Sequence, residues 1–173
     1  MSDLTYLIIL RLIHIVCGIF WAGATIYLAV FIIPAVKASG AEGSKFMQQL
    51  SRTNRLPLVM MLAATLTVLA GILLIWKLSN GFESGFMGSE HGIVLSTGAT
   101  FAIIAYLIGL TVNRPTVDKI AILGKAIAAQ GAPPSTEQMQ QLQILRKRLF
   151  TATNIVASLL AITVIAMSIV RYF

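Results

Sequence analysis

The sequence predicts an all-α fold, an integral membrane four-helix bundle in up-down order, and three observations lead there. Of its 173 residues, 57% are hydrophobic and only 11% are charged, where soluble domains carry about 25% charged residues. The apolar residues gather into four runs, each long enough for a bilayer, which needs about 20 residues. The cations collect in the connections between those runs, as topology signals do. Mean hydropathy is +0.87. One membrane domain covers residues 1–173.

The first span is expected at about 6–33. Met1-Ser2-Asp3-Leu4 lacks the basic region and cleavage site of a signal peptide, so this run is expected to stay as a helix. Pro34 suits the helix exit. A polar loop through Lys37, Glu42, Lys45 and Arg52 follows, with Ser39-Gly40 as a turn signal. The second span is expected at about 57–76, with Pro57 in its first turn and Trp76-Lys77 as an interfacial anchor. A Gly-, Phe- and Ser-rich loop joins it to the third span, about 92–112, which Asn113-Arg114-Pro115 ends.

Residues 116–148 read as a helical hairpin on the cytoplasmic side. Thr116 to Gln130 forms its first arm, and Gly131-Ala132-Pro133-Pro134 breaks it. Ser135 and Gln138 have capping-box spacing. Met139, Leu142, Leu145 and Leu149 then continue a helical stripe into the fourth span, about 149–170. One helix is expected from Thr136 to Tyr172. No sequence repeat stands out.

Lys and Arg set the expected orientation. The connection between spans one and two holds Lys37, Lys45, Arg52 and Arg55. The one between three and four holds Arg114, Lys119, Lys125, Arg146, Lys147 and Arg148. The opposite side holds Lys77 and Arg171, besides Arg11. Positive-inside asymmetry puts both basic connections in the cytoplasm and both termini outside. The net charge of +7 is thus a membrane signal, and nucleic acid is not an expected partner. Membrane lipids are. A homo-oligomer or a partner membrane subunit stays open.

The chemistry-bearing stretch is Arg11 to Thr25. At 100° per residue, Arg11, His14, Gly18, Trp21 and Thr25 share one helical face. Ionisable groups in an apolar run are costly in lipid and face protein or a cavity. With the expected topology, His14 and His91 come to the same side, with Met87 four residues before His91. His and Met suit haem iron or copper. Arg11 can pair with a haem propionate, and Trp21 can stack on a ring. Against this stands plain packing: Gly18/Ala22, Gly98/Ala102 and Ala105/Gly109 are small-residue pairs that let helices approach closely. A second polar cluster, Asn54, Arg55, Arg114 and Asn154 with Asn113 and Arg148, lies at the cytoplasmic ends, where it can meet anionic head groups or simply mark topology.

The single cysteine, Cys17, allows no internal disulfide. There is no Walker motif, G-x-S-x-G, H-E-x-x-H or C-x-x-C. The four runs contain no Asp or Glu, which argues against a carboxylate-based ion relay.

Arg11-Leu12-Ile13-His14 with Gly18, Trp21-Ala22-Gly23 and Pro34 resembles the opening span of small four-span bacterial membrane proteins. These are the CopD-type copper-resistance membrane domains and the HemJ-type protoporphyrinogen oxidases. Arg55, Pro57 and Gly71 fit the second element, and Arg146 to Phe150, Asn154 and Arg171-Tyr172 fit the ending. The HemJ-type resemblance implies haem b in a four-helix bundle, held at the position of His14. Those enzymes also use a third-span lysine, and none lies between Gly92 and Val112 here. The CopD-type resemblance implies copper handling, with His14, Met87 and His91 as candidates. The leading expectation is a haem b-binding protein of the bacterial inner membrane. Copper handling and a cofactor-free membrane subunit or scaffold are the alternatives.

Overall fold

A computed structural model of the chain describes residues 3–52 and 55–173, without the side chains of Ala41 and Arg52. Among these residues the regular structure is entirely helical. Four helical stretches, Asp3–Ala38, Leu56–Leu78, Glu90–Ala129 and Thr136–Tyr172, are long and apolar enough to cross a membrane.

The first stretch is α1 (Asp3–Tyr27), a π turn (Leu28–Ile32) and α2 (Ile33–Ala38). Pro34 therefore does not end the helix, as the sequence suggested. A proline lacks an N–H and crowds the carbonyl four residues back. The chain answers by widening one turn: Ile33 N–H reaches Leu28 O, five residues back. The third stretch repeats the device. It is α6 (Glu90–Ile108), a π turn (Gly109–Asn113) and α7 (Arg114–Ala129), with Arg114 N–H on Gly109 O just before Pro115. Asn113-Arg114-Pro115 is thus a widened turn within a continuing helix.

Two other connections are more structured than expected. The polar loop after Ser39 is largely a helix, α3 (Gly40–Arg52), entered through Gly40 at φ +57. Its start folds back closely on α2, since a Cβ on Gly43 would overlap the Val36 carbonyl. The second span is α4 (Leu56–Leu78), preceded by Arg55 at φ 50. Beyond it come a left-handed turn through Asn80, Gly81 and Phe82 and a short helix, α5 (Ser84–Met87). Buried Ser79 holds that turn by accepting from Phe82 N–H at 2.8 Å.

The last helix, α8 (Thr136–Ile169), continues as a 3₁₀ turn over Val170–Tyr172. The capping box forms: Gln138 N–H donates to Ser135 Oγ, and Ser135 N–H donates to Gln138 Oε1. Around the bundle α1 packs on α4, α4 on α6, α6 on α8, and α8 on α1. This makes α1 and α6 a diagonal pair.

The bundle is inside-out relative to a water-soluble one. Among the described residues, nine of the fourteen buried apolar side chains are alanine, whereas Leu12, Val16, Ile19, Leu62, Leu69, Ile103 and Val164 are exposed. Small residues let backbones approach, and large apolar residues suit a lipid solvent. The core itself joins Trp21, Ala22, Ala63, Ala64, Ala105, Val156 and Leu160. Threonines in the spans satisfy their hydroxyls on carbonyls four residues back, as Thr25 does on Trp21 and Thr67 on Ala63.

Candidate functional site

The face predicted on α1 turns inward for most of its length. Trp21 and Thr25 are buried. Gly18 meets α4, where a Cβ would lie 3.3 Å from Thr67 Cγ2. One turn earlier, His14 is half-buried against the same helix, its Nδ1 lying 2.8 Å from the Thr67 carbonyl oxygen. A carbonyl only accepts, so Nδ1 carries the hydrogen. Thr67 thus reaches α1 twice, with its carbonyl at His14 and its methyl at Gly18.

The ring fits because Gly71 leaves space for it. A Cβ on Gly71 would come within 2.8 Å of His14 Cε1 and 3.0 Å of Nδ1. With Nδ1 protonated, the neutral imidazole keeps its lone pair on Nε2. Nε2 has no hydrogen-bond partner among the described residues. An imidazole with its Nδ1–H on a backbone carbonyl is held in one orientation, the arrangement common in metal-binding histidines.

The other proposed residues lie apart. Arg11 is exposed, one turn nearer the N-terminus. Trp21 packs in the core with Cys17 against the same cluster. His91 begins α6, the diagonal helix, and packs edge-on to Phe86 with ring centroids 5.8 Å apart. Met87 ends α5, which Gly92 lets close over the start of α6: a Cβ there would overlap the Phe86 carbonyl. No group of three or more His, Cys, Asp or Glu side chains able to hold a metal occurs among the described residues.

At the basic end, Arg55 and Arg114 are exposed. Asn154 is occupied locally, donating to Phe150 O at 2.9 Å. Asn113 Oδ1, in the second π turn, is buried and unpartnered among the described residues. Asn54 lies outside the described residues.

Two polar links between helices carry no sequence signature. Thr65 Oγ1 and Tyr106 Oη are 3.1 Å apart between α4 and α6. Thr163 Oγ1 lies 3.3 Å from Gly98 O between α8 and α6. The Gly98 backbone is pressed there against Ala166, whose Cβ would be 3.1 Å from an added methyl. The Gly98 small-residue signal therefore reports helix packing. The sequence marks Gly71 only as part of the resemblance and as an isolated glycine within an apolar run; its contact with His14 has no sequence signal.

No family model, curated protein or solved structure matches this chain.

Proposed function

We propose that the chain is a multi-pass protein of the bacterial inner membrane that binds haem b, with His14 Nε2 as an axial ligand. One observation carries the reading: Nδ1 is engaged by the Thr67 carbonyl while Nε2 is left with a lone pair. Haem suits such a lone donor because the porphyrin brings four nitrogens of its own. A copper site needs several protein donors together, and His14 and His91 stand on diagonal helices.

In this reading α1 and α4 orient the imidazole, and exposed Arg11 is available to a propionate at the membrane surface. Haem supplies redox or gas-binding chemistry when bound. This chain's part is to hold the ring by Nδ1 and to present Nε2 as the donor. The basic connections face the cytoplasm and both termini face out.

The experiment is an absorption spectrum with metal analysis on protein purified from cells supplied with haem. A Soret band lost in His14→Ala, with helical content unchanged, supports the assignment. Absence of the band in the wild type refutes it and leaves His14 as an interhelical hydrogen bond in a cofactor-free scaffold. Copper in place of haem, lost in a His14→Ala/Met87→Ala variant, would favour the copper-handling alternative.

A further inference from the structure

A groove of about 470 Å³ runs along the hairpin of α7 and α8. Lys119, Ile122, Leu123 and Ala126 line it from α7, and Gln141, Ile144 and Leu145 line it from α8. Residues at i, i+3, i+4 and i+7 share one helical face, so each helix presents a single stripe to the groove. Ile122 and Ile144 are 68% and 61% exposed. Two such stripes side by side, with large apolar side chains left uncovered, make a seat for a third helix. The hairpin from Arg114 to Arg148 carries six cations and two acids, so it stands outside the hydrocarbon. In water, contiguous exposed apolar residues mark an interaction surface.

Charge selects the occupant. Lys119 lines the groove and no acid does. The tip of the hairpin fixes its register: the Gln130 and Gln138 amides exchange two hydrogen bonds, at 3.0 and 3.1 Å. Lys119 lies eleven residues before Gln130, and Arg148 lies ten after Gln138. At the helical rise both stand about 15 Å from the tip, at one level. Arg148 follows Ile144 by four residues and continues the α8 stripe. Both cations are exposed, and neither joins an ion pair among the described residues. Of the two acids, Glu137 sits at the tip, where the Ser135 hydroxyl donates to it, and Asp118 does not line the groove. The groove is therefore apolar toward the tip and cationic toward the bundle. A second copy, held in the same membrane orientation, would set cation against cation at that level. An amphipathic helix with acidic residues beside its apolar stripe meets both features.

We propose that the α7–α8 groove docks an acidic amphipathic helix of a partner protein. The inference takes the hairpin to stand outside the hydrocarbon, and it is independent of haem and of the side on which the hairpin lies.

The test uses the full chain in phosphatidylcholine nanodiscs and two fluorescein-labelled helical peptides of about 15 residues. Both carry leucine at i, i+3, i+4 and i+7; one has glutamate and the other lysine beside that stripe. Empty nanodiscs give the background. Fluorescence anisotropy should show saturable binding of the glutamate peptide, about tenfold tighter than that of the lysine peptide. Lys119→Glu/Arg148→Glu should reverse the preference. Ile122→Ser/Ile144→Ser, at exposed positions, should keep the helical content and abolish binding. Equal affinity for the two peptides in the wild type overturns the proposal, as does absence of saturable binding. A preference that survives the charge reversal places the peptide elsewhere and overturns it too. Light scattering gives a second reading: a wild-type dimer in detergent that dissociates in the double serine variant would put a second copy in the groove and overturn the assignment.

Discussion

His14 and Gly71 interlock: the imidazole of the first span occupies the place where any side chain larger than hydrogen would stand on the second, with Cε1 2.8 Å from a notional Cβ. The contact makes a polar ring part of the α1–α4 seam. It also aims Nδ1 at the Thr67 carbonyl, one turn before Gly71.

Gly71→Ala should therefore displace the ring, break the Nδ1 bond and lower stability by about 1–3 kcal/mol, the usual cost of overpacking. His14→Ala alone should cost less, about 1 kcal/mol, since interhelical hydrogen bonds in membranes are modest. The double variant should be more stable than Gly71→Ala alone, because the clash disappears with the ring. Thermal denaturation in detergent measures this coupling. Simple additivity would show that the two residues do not meet.

A similar argument applies to α6 and α8. Gly98→Ala sets a methyl 3.1 Å from Ala166 Cβ and from Met167 Cε. The methionine tip can move, but the alanine is fixed to its helix. A loss of about 1–3 kcal/mol is expected, together with a weaker Thr163–Gly98 hydrogen bond. Gly98→Ala/Ala166→Gly should recover most of the loss in the same denaturation assay.

The start of α8 offers a local stability test. Ser135→Ala removes the acceptor of the Gln138 N–H bond and should cost about 1 kcal/mol. Hydrogen exchange in the first turn should then quicken about fivefold, with little change deeper in α8. Glu137, beside the cap, is held below its usual carboxylate range by its own backbone N–H and by the Ser135 hydroxyl. Its depressed folded value means that its contribution is fully present above the unfolded carboxylate pKa. It is lost as pH falls through the folded one.

How far the sequence discloses this arrangement depends on the range of each interaction. Apolar runs and the capping box are local, so the four long helices and the Ser135 cap are readable in one dimension. The inward face of α1 is readable too, because Trp21 and Thr25 follow His14 at helical spacing. Pro34 and Pro115 misled because a proline forbids one hydrogen bond and does not decide whether the helix resumes. Here α2 packs on α3 and α7 packs on α8, so a widened turn keeps those contacts. The α3 helix was hidden by its polar residues, although Phe46, Met47 and Leu50 have helical spacing. Gly71 entered the sequence reading only through the resemblance; that it seats His14 could not be read, since this depends on the register between two helices.

The same register bears on how orientation is best tested. Ser79 looks like an exposed loop serine in the sequence, but it is 1% exposed and its hydroxyl anchors the left-handed turn. A cysteine placed there would resist labelling on either side of a membrane. Glu83 and Lys125 are exposed at opposite ends of the bundle, and Cys17→Ser removes the native thiol. In intact cells, Glu83→Cys should react with a membrane-impermeant maleimide, and Lys125→Cys should react only after the membrane is opened. The opposite pattern would put the basic connections outside, in conflict with the Lys and Arg asymmetry. It would also move His14 to the cytoplasmic side, and a haem bound there under the proposed function would then be reached from within the cell.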